Sequence, residues 1–244
     1  MHPYRRHAVA TGVLFILATV APMIGLAVMR PALADPVDLA RIAANEGPLL
    51  AGALLQLIGY LACPAIALAL YPVLRHHGES MALGSVVFRT VEAVFYLVSL
   101  LGLVLLVTVG RAAVAPGAAD MASYQQVATL LVDGRVWPGF VLAVLSFGIG
   151  ALLYGWLLYR TALVPRWLAG WGIAGALLTV AAAVLVMVGA TAPMSTPHLA
   201  LNLPVFAQEM VLAAWLIGRG FSQREVVAGP TAAPAIDPSL AGAA

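Results

Sequence analysis

Two charges three residues apart, Arg89 and Glu92, stand inside an apolar run that continues from Ala82 to about Val109. Ser85, Arg89, Glu92, Tyr96 and Ser99 recur at intervals of four, three, four and three, which keeps all five on one face of a helix. Lipid cannot satisfy such a face, so the helix has to turn it towards other helices or a watery interior. A lone membrane anchor is thereby excluded and a helical bundle is required. Composition agrees: 63% of the 244 residues are hydrophobic and only 9% are charged, against roughly 25% charged in a soluble domain.

Five further runs have the length for a bilayer crossing, which takes about 20 apolar residues. They cover 8–29, 49–74, 139–159, 167–190 and about 196–218. The run at 8–29 is longer than the roughly 7–15 residues of a signal-peptide core. It therefore reads as an uncleaved first span, although Ala32-Leu-Ala34 before Asp35 resembles a cleavage site. Pro64 is expected to kink the second span. Asp38 is expected to cap a short surface helix, and 123–132 to form an amphipathic helix at the membrane surface. Thr196-Pro197 reads as a cap followed by a first-turn proline that opens the sixth span.

The expected fold is thus an all-α integral membrane protein: one bundle of six transmembrane helices over 1–221, then a disordered tail over 222–244. Six crossings put Arg5, Arg6, Arg75, Arg160, Arg166, Arg219 and Arg224 on one side, and Arg30, Arg41, Arg111 and Arg135 on the other. The side richer in arginine is the cytoplasmic one, so both termini are expected there.

Three ionisable residues fall at membrane depth: Arg89, Glu92 and Glu209. At about 1.5 Å per residue, Glu92 lies about 16 Å from the start of its span near Met81, and Glu209 about 18 Å from Pro197 on the opposite side. Both depths are near the middle of a core about 30 Å thick, where the three charges can meet. A charge there costs roughly 2.5–3.5 kcal/mol even on the lenient insertion scale, so mutual pairing is expected. Two readings stay open: a site for a small solute, cation or proton, or an ionic clamp between the third and sixth spans. One excess negative charge in the set favours a protonated glutamate or a bound cation. Gln56 and Tyr60 on the second span, Ser85, Tyr96 and Ser99 on the third, and Asn202 on the sixth are candidate lining residues.

The remaining signals are plain. Cys63 is the sole cysteine, so no intrachain disulfide or cysteine-based metal site is expected. His76-His77 reads as a solvated turn and His198 as a lone interfacial histidine. No nucleophile elbow, zinc-protease, phosphate-loop or dinucleotide motif occurs, so an enzyme is not expected and no cofactor is implied. A formal net charge of +2 without a basic patch argues against a nucleic-acid partner. Gly148-Ile-Gly150 and Gly170-Trp-Gly172 read as packing glycines.

Several pieces together resemble the bacterial multi-pass proteins grouped as domain of unknown function 4386. They are Gly12-Val-Leu-Phe15, Pro72-Val-Leu-Arg75, Phe88-Arg-Thr-Val-Glu92, Leu163-Val-Pro-Arg-Trp-Leu-Ala-Gly-Trp-Gly172 and Glu209 with Ala214-Trp-Leu-Ile-Gly-Arg-Gly-Phe221. The resemblance implies a helical protein of the bacterial cytoplasmic membrane and brings no activity with it. The function expected on residues alone is small-solute or lipid binding or transport among the second, third and sixth spans. The alternative is a non-catalytic membrane component that binds a protein partner or serves envelope regulation.

Overall fold

A computed structural model describes residues 4–35, 37–117 and 120–222, and every regular element in it is helical. Helix α1 (Arg5–Met29) leads through a 3-10 turn to the short α2 (Leu39–Ala44). Then come α3 (Glu46–Ala113), α4 (Met121–Gly134), a π-helical turn (Trp137–Leu142), α5 (Ala143–Thr161), α6 (Arg166–Met187) and α7 (Thr196–Gly218). Five of the helical stretches are long and apolar enough to cross a membrane. The expected tail falls almost wholly on 223–244, outside the described residues. Ser222 is described, and its N–H donates to the Leu163 carbonyl at 2.8 Å.

Helix α3 departs from expectation. Instead of two runs joined by a loop over 75–79, helical dihedrals hold from Glu46 to Ala113 except at Gly78 (φ 168°, ψ 84°). A straight helix of that length would run about 100 Å, yet Glu46 at its start pairs with Arg111 near its end. Gly78 is therefore the tip of a helical hairpin with arms 46–77 and 79–113. The loop is short because Arg75, His76 and Glu79 already point outward from helical positions. Dihedrals stay helical through Pro64 and Pro72, so the chain reverses at Gly78, within the expected turn, and not at a proline.

Two smaller expectations resolve at the helix ends. Asp38 does cap α2: its carboxylate accepts from the Arg41 backbone N–H at 3.0 Å, which holds the carboxyl below its ordinary range, helped by the Arg41 side chain. The cap of α7 is Ser195 rather than Thr196, and its side chain bonds backward to the Ala192 carbonyl.

Lipid tails are as apolar as leucine, so helices in a membrane associate by close backbone packing over small residues rather than by hydrophobic burial. That holds here. A Cβ on Gly12 of α1 would lie 2.7 Å from the Ala213 carbonyl oxygen of α7, and one on Gly25 would lie 2.6 Å from that of Gly52 in α3. Of the glycine pairs singled out above, Gly172 packs against Gln208 of α7 and Gly150 against the Arg89 side chain, while Gly170 meets Tyr159 only at ordinary contact distance. Two apolar clusters result. One gathers around Leu70, Phe147, Leu157 and Leu212 at the Gly78 end. The other gathers around Ile42, Leu49, Leu103 and Leu106 at the opposite end. The polar stripe of α3 lies between them.

Candidate functional site

A cavity of about 600 Å³ opens in this middle layer, walled by α1, both arms of α3, the π-helical turn, α5, α6 and α7. Arg89, Glu92 and Glu209 all line it. The first two are deeply buried, each 2% exposed. Arg89 Nη1 and Glu92 Oε2 stand 2.9 Å apart as an ion pair one helical turn long, without the alignment of a full hydrogen bond. Further contacts fix the guanidinium. Its Nε donates to the Cys63 carbonyl on the facing arm at 3.4 Å, and its carbon sits 5.1 Å from the centre of the Phe147 ring. Gly150 makes room: a Cβ there would be 3.1 Å from Arg89 Cγ. The sequence around these residues thus serves the arginine from three elements.

Glu209 is brought into the same cavity but not into the pair. Among the described residues no cation lies within 4.0 Å of it; Thr19 of α1 faces its carboxylate, with Arg89 as its nearest charged influence. The expected triad is therefore an ion pair plus a separate carboxylate. The other candidates divide. Gln56 and Tyr60 share a hydrogen bond of 3.3 Å, and Tyr60 stacks on Tyr96 with ring centres 4.6 Å apart. Ser99 donates to the Arg135 carbonyl at 3.1 Å, and the Asn202 amide donates to the His198 carbonyl. All five line the cavity. Ser85 does not; its hydroxyl is satisfied by the Ala82 carbonyl on its own helix.

Five polar lining residues escaped the sequence reading: Thr19, Cys63, Arg135, Thr179 and His198. Arg135 looked like a loop cation, but it caps α4 where the π-helical turn begins, and that turn carries its side chain inward. Inserted π turns often accompany functional sites because they re-aim neighbouring side chains. His198 is buried rather than interfacial, its ring 5.8 Å from that of Phe140 at the mouth of the cavity. Arg135 Nε, Thr179 Oγ1 and His198 Nδ1 are buried without a hydrogen-bond partner. Two signals could have marked them: a polar residue within an apolar run, for Thr179, and a cation one turn before a span, for Arg135.

A family model, described as Domain of unknown function (DUF4386), matches residues 10–220, which takes in every wall of this cavity. The chain is a DUF4386 protein. No curated protein and no solved structure matches it. The DUF4386 match gives the family, and the five long apolar helices make it a multi-pass helical membrane protein; the chemistry has to be read from the cavity.

Chemically, the arrangement offers a neutralised ion pair and, among the described residues, a carboxylate and an arginine that lack ion-pair partners. Such sites hold ligands by charge complementarity in a low dielectric, where each charge acts more strongly than in water.

Proposed function

We propose that this DUF4386 protein binds a small solute or lipid inside the membrane and that the central cavity is its binding site. The reading rests on one observation above others: about 600 Å³ of space reaches Arg89 and Glu209 at once. That volume lies within the range of roughly 300–1,000 Å³ typical of ligand sites. An ionic clamp would fill its own space and pair all its charges. Here Glu209 has no ion-pair partner among the described residues, which favours a ligand site over a clamp. Transport is the activity that best suits a polar site at mid-membrane depth.

In this reading the two arms of α3 count as separate crossings, giving six, with both termini in the cytoplasm of a bacterial inner membrane. Arg135 turns into the cavity, which leaves still fewer arginines in the outer connections and supports that orientation. A cytoplasm-only reporter fused after Phe221 is expected to be active, and one fused at Gly117 silent; the reverse pattern would invert the orientation.

The binding reading is tested with detergent-purified protein in a thermal-shift screen of ions, metabolites and lipids. Ligand at about 100 times its Kd adds about 2.7 kcal/mol of stability, so at least one class should raise the melting temperature by several degrees. The rise should vanish in Glu209→Gln. A flat response to every class sinks the proposal.

A further inference from the structure

The walls of the cavity continue past its polar floor. Helices α1 and α7 meet backbone to backbone near one end, where Gly12 packs on Ala213 and the Arg5 guanidinium donates to the carbonyls of Leu216 and Ile217. Towards their other ends a second hollow of about 870 Å³ separates them. Met23, Leu26, Met194 and Phe206 line both hollows, so the two adjoin. The second is apolar, with Leu33 and Leu199 completing its walls, and Arg30 is the charged residue on its rim. The central cavity is therefore flanked by a slot between two membrane helices.

Three features must be answered by whatever occupies this space. Glu209 has no cation within 4.0 Å, and Arg135 has no carboxylate within that distance, among the described residues. Thr179 and His198 belong to the cavity wall and are more than nine-tenths buried, and each has a side-chain polar atom without a hydrogen-bond partner, as Arg135 has at Nε. The slot needs a chain of methylenes. A simple cation leaves Arg135 unanswered, a simple anion leaves Glu209 unanswered, and a soluble zwitterion leaves the slot empty. Buried charges and polar groups left unpaired are costly, so the ligand that answers all three wins.

We infer that the cavity takes a zwitterionic amphiphile of the phosphoethanolamine class, with its ammonium at Glu209, its phosphate at Arg135, and its acyl chain in the slot between α1 and α7. Both groups stand in the wall of one cavity. Arg135 is tied through its carbonyl to Ser99, two turns along the arm from Glu92, and it shares the cavity wall with Tyr60. His198, in ring contact with Phe140 of the π-helical turn that follows Arg135, adds a neutral polar side chain to that wall. Arg30 on the rim is where a phosphate would rest if the lipid merely lay against the outside.

This inference rests on the binding reading above, and its test separates the two. Native mass spectrometry of the whole detergent-purified protein would compare lysophosphatidylethanolamine, lysophosphatidylglycerol and free phosphoethanolamine. The first should be held at least tenfold more tightly than either of the others. Arg135→Gln and Glu209→Gln should each weaken it at least fivefold, while Arg30→Gln leaves it unchanged. Equal binding of the glycerol headgroup removes the role of Glu209 and overturns the inference. Equal binding of free phosphoethanolamine removes the slot and overturns it too, while leaving a ligand site in place. Loss on Arg30→Gln alone marks a surface lipid and overturns it. If none of the three binds, the inference fails, and the thermal-shift screen decides separately whether any ligand binds. The wild-type selectivity needs no substitution, so a variant that fails to fold does not blunt the test.

Discussion

At the end of the bundle that holds the Gly78 tip, α1, both arms of α3, α5, α6 and α7 all contribute to one apolar cluster. At the opposite end the cluster is built from α1, α2, the two arms of α3 and α4, and among the described residues α6 and α7 give nothing to it. The first end is a closed knot in which every long helix touches a common core. The second is a smaller core beside two helix ends left without a share in it. The cavity and its slot lie where that share is missing. The two ends divide the labour: one fixes the helices, and the other leaves them room to admit something.

The largest effect should come from the layer between the ends. Removing one partner of a buried ion pair costs about 3–5 kcal/mol, because the survivor keeps its desolvation penalty. Arg89→Met should therefore lower the melting temperature of the detergent-solubilised protein by well over the noise of the assay. Because Arg89 pairs with Glu92 rather than with Glu209, Glu92→Gln added to Arg89→Met should recover much of the loss, and Glu209→Gln should recover little. Equal rescue by both would mean that the three charges act as one unit.

A substitution at each end sharpens the contrast itself. Gly12→Val at the closed end puts methyl groups where even a Cβ would be 2.7 Å from a backbone oxygen, and overpacking of this kind costs about 1–3 kcal/mol. Leu203→Ala at the open end alters a side chain that is 62% exposed, and such changes stay within about 0.5 kcal/mol. Thermal melts of the two variants should differ accordingly. Similar losses would mean that the open end is packed against something as tightly as the closed one.

The part of this architecture legible in the chain was the part set by local geometry. Arg89, Glu92, Tyr96 and Ser99 share a face because helical spacing alone puts them there, and an apolar run around charges already implies an interior. Glu209 was found by depth, yet its separation from Arg89 depends on where α1 and α7 part, which no single run encodes. Arg135 and His198 were misplaced for the same reason. A cation in a connection reads as solvated until the π-helical turn after it is seen to carry it inward. The hairpin tip was anticipated near Gly78, but its flanks were drawn too short, since Arg75 and Glu79 look like loop residues while sitting on helix.

The smallest effect is expected outside the bundle, at α2. The Asp38 carboxyl is held below its ordinary range by the Arg41 N–H, so its capping contribution is complete above the unfolded value of about 3.9. It is lost as pH falls through the lower folded value. Hydrogen exchange at Arg41, corrected for intrinsic rates, should show protection at neutral pH that fades in acid and is absent in Asp38→Ala. Protection that survives acid unchanged would place the stability of α2 in its packing against α3 instead.

The Arg89–Glu92 pair also bears on how such a chain can be made. Its members are three residues apart on one helix, so they meet as soon as that helix forms, before any later span has arrived. A segment leaving the translocon then presents the bilayer with an internal salt rather than with two naked ions. A bridge between distant spans would oblige the first of them to wait, charged, for a partner still on the ribosome. The arm 79–113 carries its own counter-ion, and can enter the membrane in the order in which it is synthesised.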